Sequence, residues 1–425
     1  MARENGEVPR LQRIVIVGAS LAGLNAAETL RAEGYNREII LIGDEPHDPY
    51  DRPPLSKQLL TGEWDTDRLP LRSAEEFADL RLEFLRGRRA TALDVSGESV
   101  TLDDGERVSF DGLIIANGAD PITPPGATEL ECVHILRNQT DALRIRADFE
   151  SAIASGGRIV VIGAGFIGAE VASSARARGL DVTLVEALEA PMIGPLGPEL
   201  AAWATQLHAQ AGVDLRMNTR MERLIGDRSV EAVQLDSGET IPAAAVVIGI
   251  GVRPSVGWLQ DSALSIGDGV ICDQFCRAAP LIYAAGDICR WPNGLFSHFS
   301  YHQPNRTMRI EHWTNAIEQG MAAARNLLLE ARAEPLEPFS PVPYFWSDQH
   351  GKSIMASGLT APRDEVVVAH GALSERRFAA LYGLRGYLSG VVAVGWPRML
   401  RRYQAMIRDQ VSWKDALESA QELED

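Results

Sequence analysis

Apolar and polar positions along the chain follow one grammar twice. Residues 13–18 (RIVIVG) are a short apolar, β-branched run ending in glycine, and residues 21–33 carry apolar side chains at helical spacing. Strand, tight turn and helix are expected in that order. A second strand over 39–43 ends at Asp44. The same succession returns as a strand over 158–163, a helix over 166–178 and a strand over 182–185 that ends at Glu186.

The repetition reaches further. VTLDDGERVSFDGLIIANGADP (100–121) aligns without a gap on VQLDSGETIPAAAVVIGIGVRP (233–254), a constant offset of 133 (233 − 100). Each copy predicts an antiparallel hairpin that feeds a buried strand ending in a glycine turn. Prolines break the pattern at 121–125 and 335–343. Beyond the second break, strands are expected over 353–358, 365–368, 377–382 and 388–394, followed by a helix over 397–408. The fold class that follows is α/β, with two Rossmann-like dinucleotide-binding domains and a small α+β C-terminal domain. The expected division is 1–120 with 254–334 as the first of these domains, 121–253 as the second, and 335–425 as the C-terminal domain.

At 425 residues the chain is too long for one compact core. Its 45% hydrophobic and 23% charged residues are those of a globular protein. No apolar run approaches the roughly 20 residues that a bilayer crossing needs. Residues 1–10 are polar and lack the apolar core of a signal peptide, so a cytoplasmic protein is expected. A formal charge of −17 argues against nucleic acid or an anionic membrane as partner. The four cysteines, Cys132, Cys272, Cys276 and Cys289, form no C-x-x-C pair and are expected to be buried, without a redox or zinc role. No metal site is expected; His298 and His302, four apart in a long connection, are read as a surface loop.

The glycines carry the chemistry. Gly163, Gly165 and Gly168 in GAGFIG sit between strand and helix, where the first makes the tight turn, the second admits a pyrophosphate and the third lets the helix pack on the sheet. The helix N-terminus adds N–H donors for the phosphates. Glu186, 18 positions after Gly168, would hold ribose hydroxyls and repel a 2′-phosphate, which favours NADH over NADPH. In the first copy, GASLAG, Gly18, Ser20 and Gly23 stand in these places and Asp44 is the candidate ribose partner. Two such sites imply two dinucleotides, and a hydride donor with a flavin acceptor is the natural pair. In LIYAAGDI (281–288), Gly286 and Asp287 close another strand, and the carboxylate could accept from the sugar-alcohol chain of a flavin.

Six segments together spell a family: GASLAGLNAAETLRAEG, YDRPPLSK (50–57), GAGFIGAEVA, YAAGDI, RIEHWTNAIEQG (309–320) and YFWSDQ (344–349). Over essentially its whole length the chain resembles the FAD-dependent NADH:ferredoxin reductases that serve bacterial cytochrome P450 and Rieske-type oxygenase systems, relatives of glutathione reductase and apoptosis-inducing factor. The resemblance implies that Arg52 and Lys57 contact the flavin, with Lys57 beside its N5 edge and Glu170 as the ionic partner of Lys57. It assigns Arg137 to the FAD phosphates, Ala90 and Ala116 to backbone contacts on the adenine side, and Trp313 to the pyrimidine end of the isoalloxazine. Ala22 and Gly118 join the FAD set, and Phe166, Ile167, Gly249 and Gly251 join the NAD set. Tyr344 and Trp346 resemble an aromatic pair on the ferredoxin side.

The chain departs from the family pattern at Tyr344, where tryptophan is common, at Asn117, where threonine is usual, and in the long connection 292–307. It has three lysines, Lys57, Lys352 and Lys414, and no cysteine in 45–65, which removes the thiol exit that disulfide reductases need. Electrons are therefore expected to leave for an external acceptor, a 2Fe–2S ferredoxin feeding a P450 or Rieske oxygenase. The alternatives are a flavin-bearing binding protein of the apoptosis-inducing-factor kind, an NADH oxidase and a rubredoxin reductase. An acidic ferredoxin would need a locally basic surface, for which Arg376, Arg377, Arg398, Arg401 and Arg402 are candidates. A monomer or weak homodimer is expected.

Overall fold

The computed structural model describes residues 11–127, 129–299, 307–361, 363–375 and 377–422. Residues 1–10, read above as the polar start of the chain, lie outside them, as do His302 and Arg376. The chain divides into two compact units. One comprises the described residues within 1–51, 70–120 and 253–343, the other those within 52–69, 121–252 and 344–425.

The first unit is built on a six-stranded sheet whose order is Arg277–Ala279, Ile282–Ala284, Gly112–Ile115, Arg13–Val17, Glu38–Gly43 and Glu83–Arg86. All neighbours are parallel except the first pair. Such strands are covered on both faces and so read as unbroken apolar runs. Helices Leu21–Ala32 and Trp313–Ala331 pack together at Gly320, where a Cβ would stand 2.3 Å from the Ala22 carbonyl oxygen.

The second unit repeats the plan. Its parallel sheet runs Asp214–Arg216, Asp181–Val185, Arg158–Ile162, Ala245–Ile248 and Val133–Ile135, with helix Phe166–Ala177 after the Arg158–Ile162 strand. The internal repeat keeps its register in three dimensions. Hairpin strands Ser99–Leu102 and Arg107–Ser109 feed Gly112–Ile115, and Ala232–Leu235 and Thr240–Pro242 feed Ala245–Ile248, each bound shifted by 133 (232 − 99).

The C-terminal segment is an antiparallel sheet followed by helix Pro397–Arg408, as expected, but it holds five strands where the pattern predicted four. The additional one, Tyr344–Gln349, pairs along its whole length with Lys352–Gly358. Its polar half, Ser-Asp-Gln, hides it from a reading by hydrophobicity. Helix Trp413–Gln421 was also not anticipated, and the expected strand 365–368 continues to Gly371 across an irregularity between Val368 and His370. The strand expected over 377–382 occupies Phe378–Leu384. The inner face of this sheet shares one apolar core with Ala169, Leu196, Leu200 and Trp203.

Three of the four cysteines, Cys272, Cys276 and Cys289, are buried in one core, whereas Cys132 is half-buried. Burial beside its two thiol neighbours pushes Cys289 well up from the usual thiol range.

Candidate functional site

In the first unit, chain order makes the sheet reverse direction between Arg13–Val17 and Gly112–Ile115, and open α/β sheets bind ligands at the carboxyl ends of strands where that happens. Several of the candidate residues lie there. Gly18 follows the first strand at φ +116°, and a Cβ on it would lie 2.2 Å from the Ala116 carbonyl oxygen. A Cβ on Gly23 would lie 1.9 Å from the Gly18 oxygen, so the helix rests directly on the turn. Ser20 is the N-cap of Leu21–Ala32 and its side chain makes no capping bond, which leaves the helix's first turn open to an anion. Ala22 is buried in the helix's first turn.

Asp44 follows the Glu38–Gly43 strand on the same edge, exposed and paired with Arg89 at 3.0 Å. Ala90 begins a hairpin strand and Gly118 turns at φ +74°. Gly286 and Asp287 lie in the short turn Gly286–Ile288 after Ile282–Ala284. The Gly286 N–H donates to Gln319 Oε1 at 2.9 Å, and the Gln319 amide also reaches Cys276 Sγ at 3.4 Å. Trp313 opens its helix and donates from Nε1 to Asp51 Oδ1 at 2.7 Å.

The second unit presents the same edge in a sharper form. Gly163 turns at φ +96° with its Cβ direction 2.3 Å from the Gly249 oxygen, and Gly168 would meet the Gly163 oxygen at 1.9 Å. Gly165 differs: a Cβ there meets nothing within 4 Å, although the residue is the N-cap of Phe166–Ala177. An open cradle at an uncapped helix start has the shape and polarity that a pyrophosphate requires. Glu186 is fixed at its rim by two backbone N–H groups, from Ala164 at 2.6 Å and Leu188 at 2.9 Å. Three large apolar side chains, Ile167, Leu188 and Ile250, stay 44%, 54% and 41% exposed at these strand ends. Gly251 turns at φ +111° just beyond. Apolar surface left open beside a phosphate cradle suits the faces of planar rings.

Also in the second unit, Lys57 Nζ bonds to Glu170 Oε2 at 2.8 Å. Glu170, on the helix that starts at the second fingerprint, is 3% exposed. Ser56 Oγ donates to its Oε2 at 2.5 Å and Ser347 Oγ to its Oε1 at 2.7 Å. A charge so far from water is tolerated when its partner and hydrogen bonds replace the lost hydration. Arg52 Nη1 donates to the Arg137 carbonyl at 2.7 Å, and the Arg137 N–H donates to Asp141, whose side chain completes the capping box that Asn138 opens on helix Gln139–Ser155. Tyr344 and Trp346 stack, with centroids 6.1 Å apart at 20°. Ser56, Ser347, Gln349 and His208 were not singled out from the sequence. The usable signal was the two-residue spacing of Ser347 and Gln349, which puts both on one face of a strand.

The described basic candidates of the C-terminal domain fall in two places. Arg398, Arg401 and Arg402 are exposed on helix Pro397–Arg408, which carries four arginines and no acid. Arg377 lies over the Trp396 ring at 4.5 Å. His298 is in a short helical turn, Gly294–Phe299. Among the described residues no group of three or more His, Cys, Asp or Glu side chains could hold a metal ion, and no helix is long and apolar enough to cross a membrane.

Comparison with known proteins agrees with this geometry. Residues 12–320 match the family described as pyridine nucleotide-disulphide oxidoreductase, and residues 344–423 match that described as reductase C-terminal. The chain is 35% identical to rhodocoxin reductase of Rhodococcus erythropolis over 91% of its own length and 87% of that protein's. It is 35% identical to the ferredoxin–NAD(+) reductase component of the p-cumate 2,3-dioxygenase system of Pseudomonas putida, over 84% of each. Among solved structures, the covalent putidaredoxin reductase–putidaredoxin complex matches with a TM-score of 0.86 and 30% identity, over 94% of each chain.

Proposed function

Because the chain belongs to the pyridine nucleotide-disulphide oxidoreductase family, we propose that it is an FAD-containing NADH:ferredoxin oxidoreductase supplying a cytochrome P450 or a Rieske-type oxygenase. The observation that carries the reading is the likeness, over more than four fifths of the chain, to reductases named for such systems. The chain's own residues agree with it. Where a disulfide reductase of this family needs a cysteine pair, residues 45–65 hold none, so electrons that enter have no thiol to leave by.

When bound, the nicotinamide supplies a hydride and the flavin accepts it and releases electrons singly. The residues around them bind, orient and tune. Gly18, Ser20, Ala22, Gly23, Asp44, Ala90, Ala116, Gly118, Gly286, Asp287 and Trp313 are assigned to FAD, with Arg52 and Arg137 for its charged portion. Gly163, Gly165, Phe166, Ile167, Gly168, Glu186, Gly249 and Gly251 are assigned to NADH. Glu186 would accept from ribose hydroxyls and repel a 2′-phosphate. Lys57, backed by Glu170, would supply a positive charge to the bound flavin, where negative charge grows on reduction; in a site shielded from water such a charge acts strongly. The three-part division into residues 1–120 with 254–334, 121–253 and 335–425 belongs to the same proposal, as does a cytoplasmic location.

The acceptor is an acidic 2Fe–2S protein. With a net charge of −17 on this chain, docking needs a local reversal of sign, and the arginine face of Pro397–Arg408 with Arg377 provides it. Anaerobic titration with NADH and with NADPH, followed in the visible spectrum, tests the reading when a 2Fe–2S ferredoxin and cytochrome c are then added. Bleaching by NADH at far lower concentration than NADPH, with ferredoxin-dependent cytochrome reduction, is expected. No flavin spectrum, or reduction that ferredoxin never accelerates, would overturn it.

A further inference from the structure

A buried chain of hydrogen bonds that the proposed reaction does not use starts at Glu170. Ser347 Oγ donates to Glu170 Oε1 at 2.7 Å, and Gln349 Nε2 donates to Ser347 Oγ at 2.9 Å. Gln349 Oε1 lies 3.1 Å from His208 Nε2, and His208 Nδ1 lies 2.9 Å from His350 Nε2. Ser347, Gln349 and His208 have no exposed surface, and His350 is half-buried.

The first member dictates the direction of every bond. A carboxylate paired with an ammonium only accepts, so the single hydrogen of the Ser347 hydroxyl is committed to it. The hydroxyl oxygen must then accept, which turns the NH2 of Gln349 towards it. The amide's other hydrogen is taken by Met192 Sδ at 3.0 Å. Its oxygen therefore faces His208, whose Nε2 must carry the hydrogen. That leaves Nδ1 bare, and His350 must donate to it from its own Nε2. Both histidines are thus neutral Nε2–H tautomers. Burial agrees, since it pushes each of them down to about 4, helped by the neighbouring imidazole at His208 and by Arg176 at His350.

An amide cannot relay a proton without itself becoming charged, so this is not a proton path. We infer that Ser347, Gln349, His208 and His350 are positioning residues that hold the Glu170 carboxylate, and with it Lys57, in one orientation. The inference rests on the assignment of Lys57 and Glu170 to the flavin. Gln349 adds a second tie, because the Met192 N–H donates to the Ala164 carbonyl at 3.0 Å, within the turn assigned to NADH. One side-chain amide thereby touches the supports of both cofactors.

Side-chain nitrogen NMR of the FAD-loaded protein reads the tautomers directly, with His208→Gln and His350→Gln assigning the signals. Both should be Nε2–H in the unaltered protein. Ser347→Ala, which severs the chain while leaving Glu170 its other donors, should convert His208 to a mixture in which at least a third is Nδ1–H, and Glu170→Gln should do the same. Tautomers that stay put in both variants, or an Nδ1–H His208 at the outset, would overturn the inference. In the flavin bleaching by NADH, His208→Leu should lower the limiting rate constant about tenfold with the NADH Kd within twofold, and His208→Gln, which keeps a donor for Gln349, should recover most of it. Equal rates for the two variants would count against positioning. The NMR needs no ferredoxin, so a protein that passes it yet never reduces ferredoxin retains the chain and loses the functional reading.

Discussion

Lys57 Nζ and Glu170 Oε2 meet at 2.8 Å across 113 positions of sequence, their side chains 12% and 4% exposed. Removing one member strands the other's charge out of water, which costs about 3–5 kcal/mol in comparable pairs. Lys57→Met should therefore lower unfolding stability by about that amount, read by urea titration. The double variant Lys57→Met with Glu170→Leu should regain more than half. Additive losses would mean that the pair is not coupled.

The glycines of the second fingerprint should separate folding from binding. Gly163→Ala forces φ +96° on an alanine and drives its Cβ to 2.3 Å from a carbonyl oxygen, so a loss of at least about 1–2 kcal/mol is expected. Gly165→Ala places its methyl in open space and should leave thermal stability unchanged. Its KM for NADH should rise roughly tenfold, equivalent to about 1.4 kcal/mol of binding. Steady-state kinetics beside a melting curve on each variant checks both.

Glu186 is already held by two backbone donors, so its charge stands at a fixed point before any nucleotide arrives. In Glu186→Ser the KM for NADH should rise and that for NADPH fall, narrowing the preference by about ten- to hundredfold, or about 1.4–2.7 kcal/mol. A preference that survives the substitution would place the 2′-phosphate elsewhere.

Docking through arginines predicts a salt effect. Ferredoxin-dependent turnover should fall steeply as ionic strength rises, because exposed charges beyond about 8–10 Å are screened near physiological salt. Replacing Arg398, Arg401 and Arg402 by glutamate should raise the ferredoxin KM at least about tenfold at low salt. An unchanged KM would move the docking face away from Pro397–Arg408.

His208 also predicts an acid limit. Its folded pKa lies at about 4, lowered chiefly by burial, against about 6.5 in the unfolded chain. Between those values the unfolded chain binds a proton that the folded one refuses, so stability is full above about pH 6.5 and is lost as the pH falls towards 4. His350 contributes in the same direction. Melting temperatures taken from pH 7 to 4 should drop, and His208→Gln should flatten the drop.

Much of this was legible in residue order because it depends on local signals. A β-branched run, a glycine and an amphipathic stretch specify strand, turn and helix within about twenty residues, and the chain states that unit twice. The offset of 133 in the repeat carried over to every strand bound, since each hairpin's register follows from its own turn. Lys57 and Glu170 were named as partners only through resemblance, and the fold brings them together.

What the chain order could not announce is the set of polar side chains turned inward. Ser347, Gln349 and His208 read as surface residues by any hydrophobic pattern, and the strand that carries the first two went unrecognised for that reason. Their burial is favourable only because each finds a partner far along the chain: Ser347 is 177 positions from Glu170, and His208 is 141 from Gln349. An unpaired buried polar group is costly and a paired one is not, and pairing over such distances exists only once the helix, the sheet and the YDRPPLSK segment have packed. Local sequence thus determined the two dinucleotide-binding units, whereas tertiary structure decided which residues surround the buried carboxylate.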